Sequence, residues 1–405
     1  MRIVYVTSSL PYGPGEAFII PEIEELKRQG HEVLLVPMFP RGKLFHEKAV
    51  SMIDFTRSQP LISWEILKKA ICNVLSMPFK ALSTLTLIIK YSNRIDILAK
   101  NLVVYPKGLW LAYVVRDWRA EHVHAHWAAT TATMALVAAG LSRVPWSFTA
   151  HRWDIAENNL IALKTRKAAF ARAIDSRGAQ ELMSHAKFAD WTPHIIHMGV
   201  ILQIDRVHNC IPSHKIFRVI MAANFVEKKG HIYLIEAVQL LCHSGFQIML
   251  DLAGDGPLKS DIESKVKNYR LEGNVNFLGA VPHSQLISRM RDREWDLMVL
   301  PSIEDSTGAR EGIPVSLMEA MSCEIPVIST KTGGIPELLE GDAGLLVPTK
   351  DPVALAEAIE ALATDPVLRE QLAKNGSKRV HEEFNVKTVV TKLVSLFSEC
   401  RKTKN

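Results

Sequence analysis

The chain has 405 residues, 48% of them hydrophobic and 22% charged, a composition that excludes disordered and low-complexity classes and allows a sizeable core. That length exceeds what one core usually serves, so two domains are expected. The net charge of +5 is unevenly spread: residues 1–199 hold 24 Lys/Arg against 16 Asp/Glu and residues 200–405 hold 24 against 27, so the first half suits an anionic partner.

Residues 3–7 are apolar and β-branched, Pro11-Tyr12-Gly13-Pro14-Gly15 breaks the run, residues 22–29 have a helical pattern and 33–36 form a second strand. This is a βαβ unit. Residues 50–115 read as long helices. Strand, helix and strand then recur at 123–126, 130–141 and 146–150, as a parallel sheet with crossover helices requires. The irregular stretch from Pro193 to Pro212 separates this series from a second one, with strands near 217–223, 246–253, 275–278, 297–300, 326–329 and 344–347. After Asp351 the pattern is helical, and 384–398 is a final amphipathic helix before a basic tail. The expected organisation is α/β: a Rossmann-like domain over 1–199, another over 200–383, and a segment 384–405 crossing back to the first.

Five scattered cysteines (Cys72, Cys210, Cys242, Cys323 and Cys400) with no C-x-x-C pair argue against a disulfide framework and for a reducing compartment. Met1-Arg2 runs straight into a strand, which leaves no room for a secretory leader, so a cytoplasmic location is expected. The uncharged stretch of residues 125–142 contains His126 and many small residues, too little hydrophobicity for a spanning helix. Zinc-finger spacing, an aromatic RNA-binding pattern and basic-zipper heptads are all missing, so nucleic acid is not an expected partner.

Three segments carry chemistry. Arg310-Glu311-Gly312-Ile313-Pro314 follows a strand and opens a helix that contains Glu319. Amides at a helix start favour anions. Asn224-Phe225-Val226-Glu227-Lys228-Lys229-Gly230 lies between a strand and a helix, and His151, with Asp154 three residues later, ends a strand of the first half, where open α/β sheets bind ligands. His122, His124 and His126 alternate along one strand and share a face, a spacing that can bind zinc, although no fourth ligand is obvious. Only His126, at the strand end, is expected to reach a ligand. Gly254 and Gly256 lack the third-glycine spacing of a dinucleotide fingerprint.

The stretch Glu311 to Met321, then Pro326-Val-Ile-Ser-Thr and Gly333-Gly-Ile-Pro-Glu337, resembles the nucleotide-sugar site of glycosyltransferase family 4. The resemblance extends to the first βα loop, residues 144–154, 222–230 and 253–257, and is weakest over 50–115. It implies two facing Rossmann-like domains with a cleft between them (the GT-B architecture) and retaining, metal-independent transfer from a nucleoside-diphosphate sugar to a glycan. It places Glu319 on the ribose, Glu311 with the Gly312 and Ile313 amides on the donor sugar, and Lys229 on the diphosphate. Gly15 would face the donor, and His126 and Asp154 the acceptor. His151, Lys229 and Glu311 would stand at the chemistry.

Where the family has an arginine this chain has Asn224, so one cation is missing and Arg310 is the candidate replacement. No cofactor or metal is expected, consistent with the absence of an Asp-x-Asp. Residues 50–115 hold eight Lys/Arg (Arg57, Lys68, Lys69, Lys80, Lys90, Arg94, Lys100 and Lys107) against three acids, with apolar residues at helical spacing. An anionic membrane surface and a lipid-linked glycan acceptor are therefore expected partners, with peripheral attachment at the inner face of the cell membrane. A soluble acceptor, a dinucleotide-dependent oxidoreductase and a catalytically silent binding subunit remain alternatives.

Overall fold

The computed structural model describes residues 1–13, 15–44, 47–186, 191–202 and 216–402. Half of the break from Pro193 to Pro212, and the end of the basic tail, lie outside the described residues. The chain divides into two compact units, Met1–Gly199 joined by the segment from Val386 onward, and Val200–Asn385.

The first unit holds a six-stranded sheet of β1 (Arg2–Thr7), β2 (Glu32–Pro37), β3 (His122–His126), β4 (Trp146–Ala150), β5 (Phe170–Ala173) and β6 (His194–Ile195) in the order β2-β1-β3-β4-β5-β6. All neighbours are parallel. Every residue of β3, β4 and β5 is buried, so the polar–apolar alternation of β3 and β4 marks no solvent-exposed face. The short strands β5 and β6 were not legible in the sequence.

Residues 50–115 supply the helices Trp64–Ser76 and Pro78–Tyr91 and most of Ile95–Asp117. Helix Ile95–Asp117 lies close against the alanine-rich helix Thr130–Ser142, because a Cβ at Gly108 would stand 2.8 Å from Val137 Cβ. The C-terminal helix Val386–Lys402 packs on helix Ile20–Arg28, with Val390, Leu393 and Phe397 fully buried and the Phe397 ring 4.4 Å from that of His122.

Lys107, counted among the basic residues of 50–115, is fully buried. Its ammonium donates to the carbonyls of Pro37, Met38 and Gln59 at 2.9, 2.7 and 2.6 Å. Burial pushes its pKa down to about 7. It is a structural bolt rather than part of a basic surface.

The second unit holds β7 (Phe217–Ala222), β8 (Ile248–Ala253), β9 (Val275–Gly279), β10 (Leu297–Leu300), β11 (Val327–Thr330) and β12 (Leu345–Val347), ordered β12-β11-β10-β7-β8-β9 and also parallel. Each unit is Rossmann-like. Chain order reverses between β1 and β3 in the first sheet and between β7 and β10 in the second, and loops at such switch points form ligand crevices in open α/β sheets.

Candidate functional site

In the second unit the loops after β7 and β10 flank the switch point and are tied together. The Ile303 amide donates to the Lys228 carbonyl at 2.8 Å, and the Ser306 amide and hydroxyl donate to Glu227 at 3.2 and 2.9 Å. Gly230 makes this approach possible: its φ is +73°, and a Cβ there would fall 2.0 Å from the Pro301 oxygen. The two loops thereby bring Lys229 Nζ within 2.7 Å of a Glu311 carboxylate oxygen, with side chains 15% and 13% exposed.

Glu319 lies inside helix Val315–Ser322 and is met by His283 Nε2 at 2.6 Å. Arg310 is ion-paired with Glu304. The cation expected to replace the one missing at Asn224 is thus paired with a carboxylate of its own loop. Asn224 itself is exposed, and Gly312 and Ile313 stand half-exposed between Glu311 and the helix. Gly254, with φ +146°, would put a Cβ 2.0 Å from the Ala223 oxygen, so it serves close packing of the loops after β7 and β8.

The strand ends of the first unit are denser. Glu16, next to the exposed Gly15, accepts from the amides of Ser8, Ser9 and Leu10 at 2.9, 2.6 and 2.8 Å and from Trp127 Nε1 at 2.5 Å, which fastens the loop after β1 to the end of β3. Trp127 has φ 91°, a strained conformation for a bulky residue, and its ring lies 4.3 Å from His151 and 5.4 Å from the exposed Trp153.

The two residues expected on the acceptor side are both covered. His126 is fully buried and bonds Tyr5 through Nδ1 at 2.9 Å and His151 through Nε2 at 2.8 Å. Asp154 is also fully buried. Its oxygens accept from the His151 amide at 2.7 Å and the Ala128 amide at 2.5 Å, so it orients the His151 backbone from the first turn of helix Arg152–Glu157. Burial raises the Asp154 pKa to about 7, opposed by these amides, and lowers that of His151 to about 3, with Arg172 adding to the effect. His122 and His124 share the Ser147 hydroxyl at 2.8 Å each, behind the strand ends.

Glu16, Trp127, Tyr5, Glu22, Arg172, His283 and Glu304 were not singled out from the sequence. Trp127 directly follows the histidine strand and Glu16 directly follows the glycine loop, and those positions were the available signals.

Residues 211–379 match the family described as glycosyl transferases group 1. A putative colanic acid biosynthesis glycosyltransferase of Escherichia coli, WcaL, is 37% identical over 182 residues, which is 44% of this chain and 44% of that protein, so the match spans less than half the relative's length. A putative teichuronic acid biosynthesis glycosyltransferase of Bacillus subtilis, TuaC, is 25% identical over 95% of both chains. Among solved structures, Anabaena HepE in complex with UDP superposes with a TM-score of 0.72 over 98% of this chain and 100% of its own, at 18% identity, which is a likeness of fold. The switch-point loops of the second unit, with Lys229, Glu311 and Glu319, all fall inside the residues that match the glycosyl transferases group 1 family.

Proposed function

We propose that the chain is a retaining, metal-independent glycosyltransferase. In this reading it moves a sugar from a nucleoside-diphosphate donor on the second unit to a hydroxyl of a glycan acceptor on the first. The observation that carries it is the Lys229–Glu311 pair at the β7/β10 switch point with Glu319 in the helix that follows. A departing nucleoside diphosphate gathers negative charge, and a fixed ammonium beside oriented amides stabilises it without a metal. A carboxylate accepts from two hydroxyls at once, which suits Glu319 to a ribose and Glu311 to a sugar.

The acceptor is a lipid-linked glycan used in surface polysaccharide synthesis. Support for the lipid comes from helices Trp64–Ser76 and Pro78–Tyr91, whose exposed Trp64, Ile71, Leu75, Phe79 and Leu82 lie among the exposed Lys68 and Lys90. This pair is bent by 109°, and among the described residues no single helix is long and apolar enough to cross a membrane. Such a face suits the interface of an anionic leaflet.

The test is release of nucleoside diphosphate from a panel of nucleotide sugars, beginning with UDP-sugars because HepE was solved with UDP. A nucleoside diphosphate at 100 times its dissociation constant should also stabilise the chain by about 2.7 kcal/mol. No release and no stabilisation with any member of the panel would refute the reading.

A further inference from the structure

A continuous buried chain of polar groups crosses the first unit. Arg172 is fully buried on β5, and its guanidinium pairs with one oxygen of Glu22 at 2.6 Å. The Tyr5 hydroxyl donates to the other Glu22 oxygen at 2.6 Å. His126 Nδ1 lies 2.9 Å from that hydroxyl, and His126 Nε2 lies 2.8 Å from His151 Nε2. Tyr5 and His126 are fully shielded and His151 is 8% exposed, so water cannot stand in for any link.

The valences leave one assignment. An ionised carboxylate only accepts, so the single proton of the Tyr5 hydroxyl goes to Glu22. The hydroxyl oxygen must then accept, and His126 carries its proton on Nδ1. With that nitrogen protonated in a neutral ring, His126 Nε2 is an acceptor, and the proton between the two imidazoles belongs to His151 Nε2. The far end is compatible with this: His151 and Asp154 have capping-box geometry, in which an unprotonated His151 Nδ1 can face the Asp154 amide. Burial, together with the nearby Arg172, keeps both rings from charging.

We propose that Glu22 and Tyr5 are positioning residues which, acting through His126, hold His151 as the neutral tautomer protonated on Nε2. The consequence for transfer rests on the function proposed above. His151 meets a sugar hydroxyl only as an acceptor, through Nδ1 and in exchange for the Asp154 amide, and supplies no proton. Glu22, His124 and His126 do offer ligand atoms within 4.8 Å of one another. Both Glu22 oxygens are already engaged, one of them by a guanidinium, and this opposes a cation there.

The experiment is long-range ¹H–¹⁵N correlation of the full chain carrying ¹⁵N-labelled histidine, without ligand, before and after addition of Zn²⁺. The wild-type chain is expected to show His126 protonated on Nδ1, His151 on Nε2, and neither perturbed by stoichiometric Zn²⁺. In Tyr5→Phe the His126 Nδ1 proton loses its acceptor, and its resonance should move upfield or vanish by exchange. In His126→Gln the amide can donate to Tyr5 and accept from His151, so His151 should remain protonated on Nε2. Nδ1–H on His151 in the wild type or His126→Gln, Nε2–H on His126, an unchanged His126 resonance in Tyr5→Phe, or stoichiometric Zn²⁺ binding at these rings would each overturn the proposal. The wild-type spectrum decides the tautomers even if Tyr5→Phe fails to fold. Donor turnover is a separate readout, so failure of the transferase reading is distinguishable from failure of the relay.

Discussion

Replacing Lys229 with alanine separates a catalytic cation from a structural one. Two unit charges 2.7 Å apart attract by about 6 kcal/mol at an effective dielectric of 20. Most of that gross attraction is offset by the desolvation of two largely covered groups, so the pair should add only about 1 kcal/mol to folding. In the proposed donor complex the balance differs. The variant loses a charge-assisted bond to the diphosphate and also leaves the Glu311 carboxylate facing the same negative charge. A loss of about 2–4 kcal/mol of transition-state stabilisation follows, or roughly 30- to 1000-fold in rate. Nucleoside diphosphate release gives the rate, and a urea titration at the same pH gives the stability. Turnover within threefold of wild type in a folded Lys229→Ala chain would refute the donor site; a collapse of stability would show Lys229 to be structural instead.

Glu319→Ala should weaken nucleoside diphosphate binding by roughly tenfold or more, since one carboxylate would hold two ribose hydroxyls; isothermal titration that finds unchanged affinity contradicts this. Product NMR should show a retained anomeric configuration and turnover should survive EDTA; an inverted product, or activity recovered only with Mg²⁺ or Mn²⁺, would overturn the respective half. Stability should fall in acid. Burial holds His122 and His151 near a pKa of about 3, so below the unfolded value of 6.5 the unfolded chain gains protons that the folded chain refuses. The stability present above about pH 6.5 is lost as the pH drops toward 3, on the order of 1–2 kcal/mol per histidine at pH 5, and a urea midpoint that does not move between pH 7.5 and 5 would exclude this. Vesicles with an anionic leaflet should float with the chain, and Leu75→Ser with Phe79→Ser should abolish the association; unchanged flotation of that double variant would rule out the proposed face.

Hydrophobic runs reveal the strands of both sheets whose buried residues are all apolar, as in Ile3–Val6, Val219–Met221 and Leu297–Leu300. The same rule hides β5. Its four residues contain Arg172, and an arginine in the middle of Phe-Ala-Arg-Ala reads as surface until its partner Glu22 is found 150 positions away. The loops after β7 and β10 were legible because their residues lie close in sequence to the glycines that bend them. His283 was not, since it reaches Glu319 from a different helix, 36 positions earlier.

Residues 50–115 show what residue counts leave out. Eight cations against three acids suggest a strongly basic surface, yet Lys107 is buried among carbonyls, Lys100 is held by Glu157 at 2.6 Å, Arg94 by Asp96 at 2.7 Å and Arg57 by Asp117 at 3.2 Å. Lys69 lies over the Tyr113 ring at 3.6 Å. Lys80 is half-buried and reaches the Leu141 carbonyl at 3.4 Å, so the exposed Lys68 and Lys90 are the main basic component, worth about 1 kcal/mol each near an anionic leaflet. By contrast Trp64 is 82%, Leu75 76% and Phe79 87% exposed, and burying such side chains yields roughly 1.5–3 kcal/mol apiece. Apolar insertion therefore outweighs charge on this face. Raising the salt concentration should weaken its attachment far less than removing the aromatic and leucine side chains at the bend between Ser76 and Pro78.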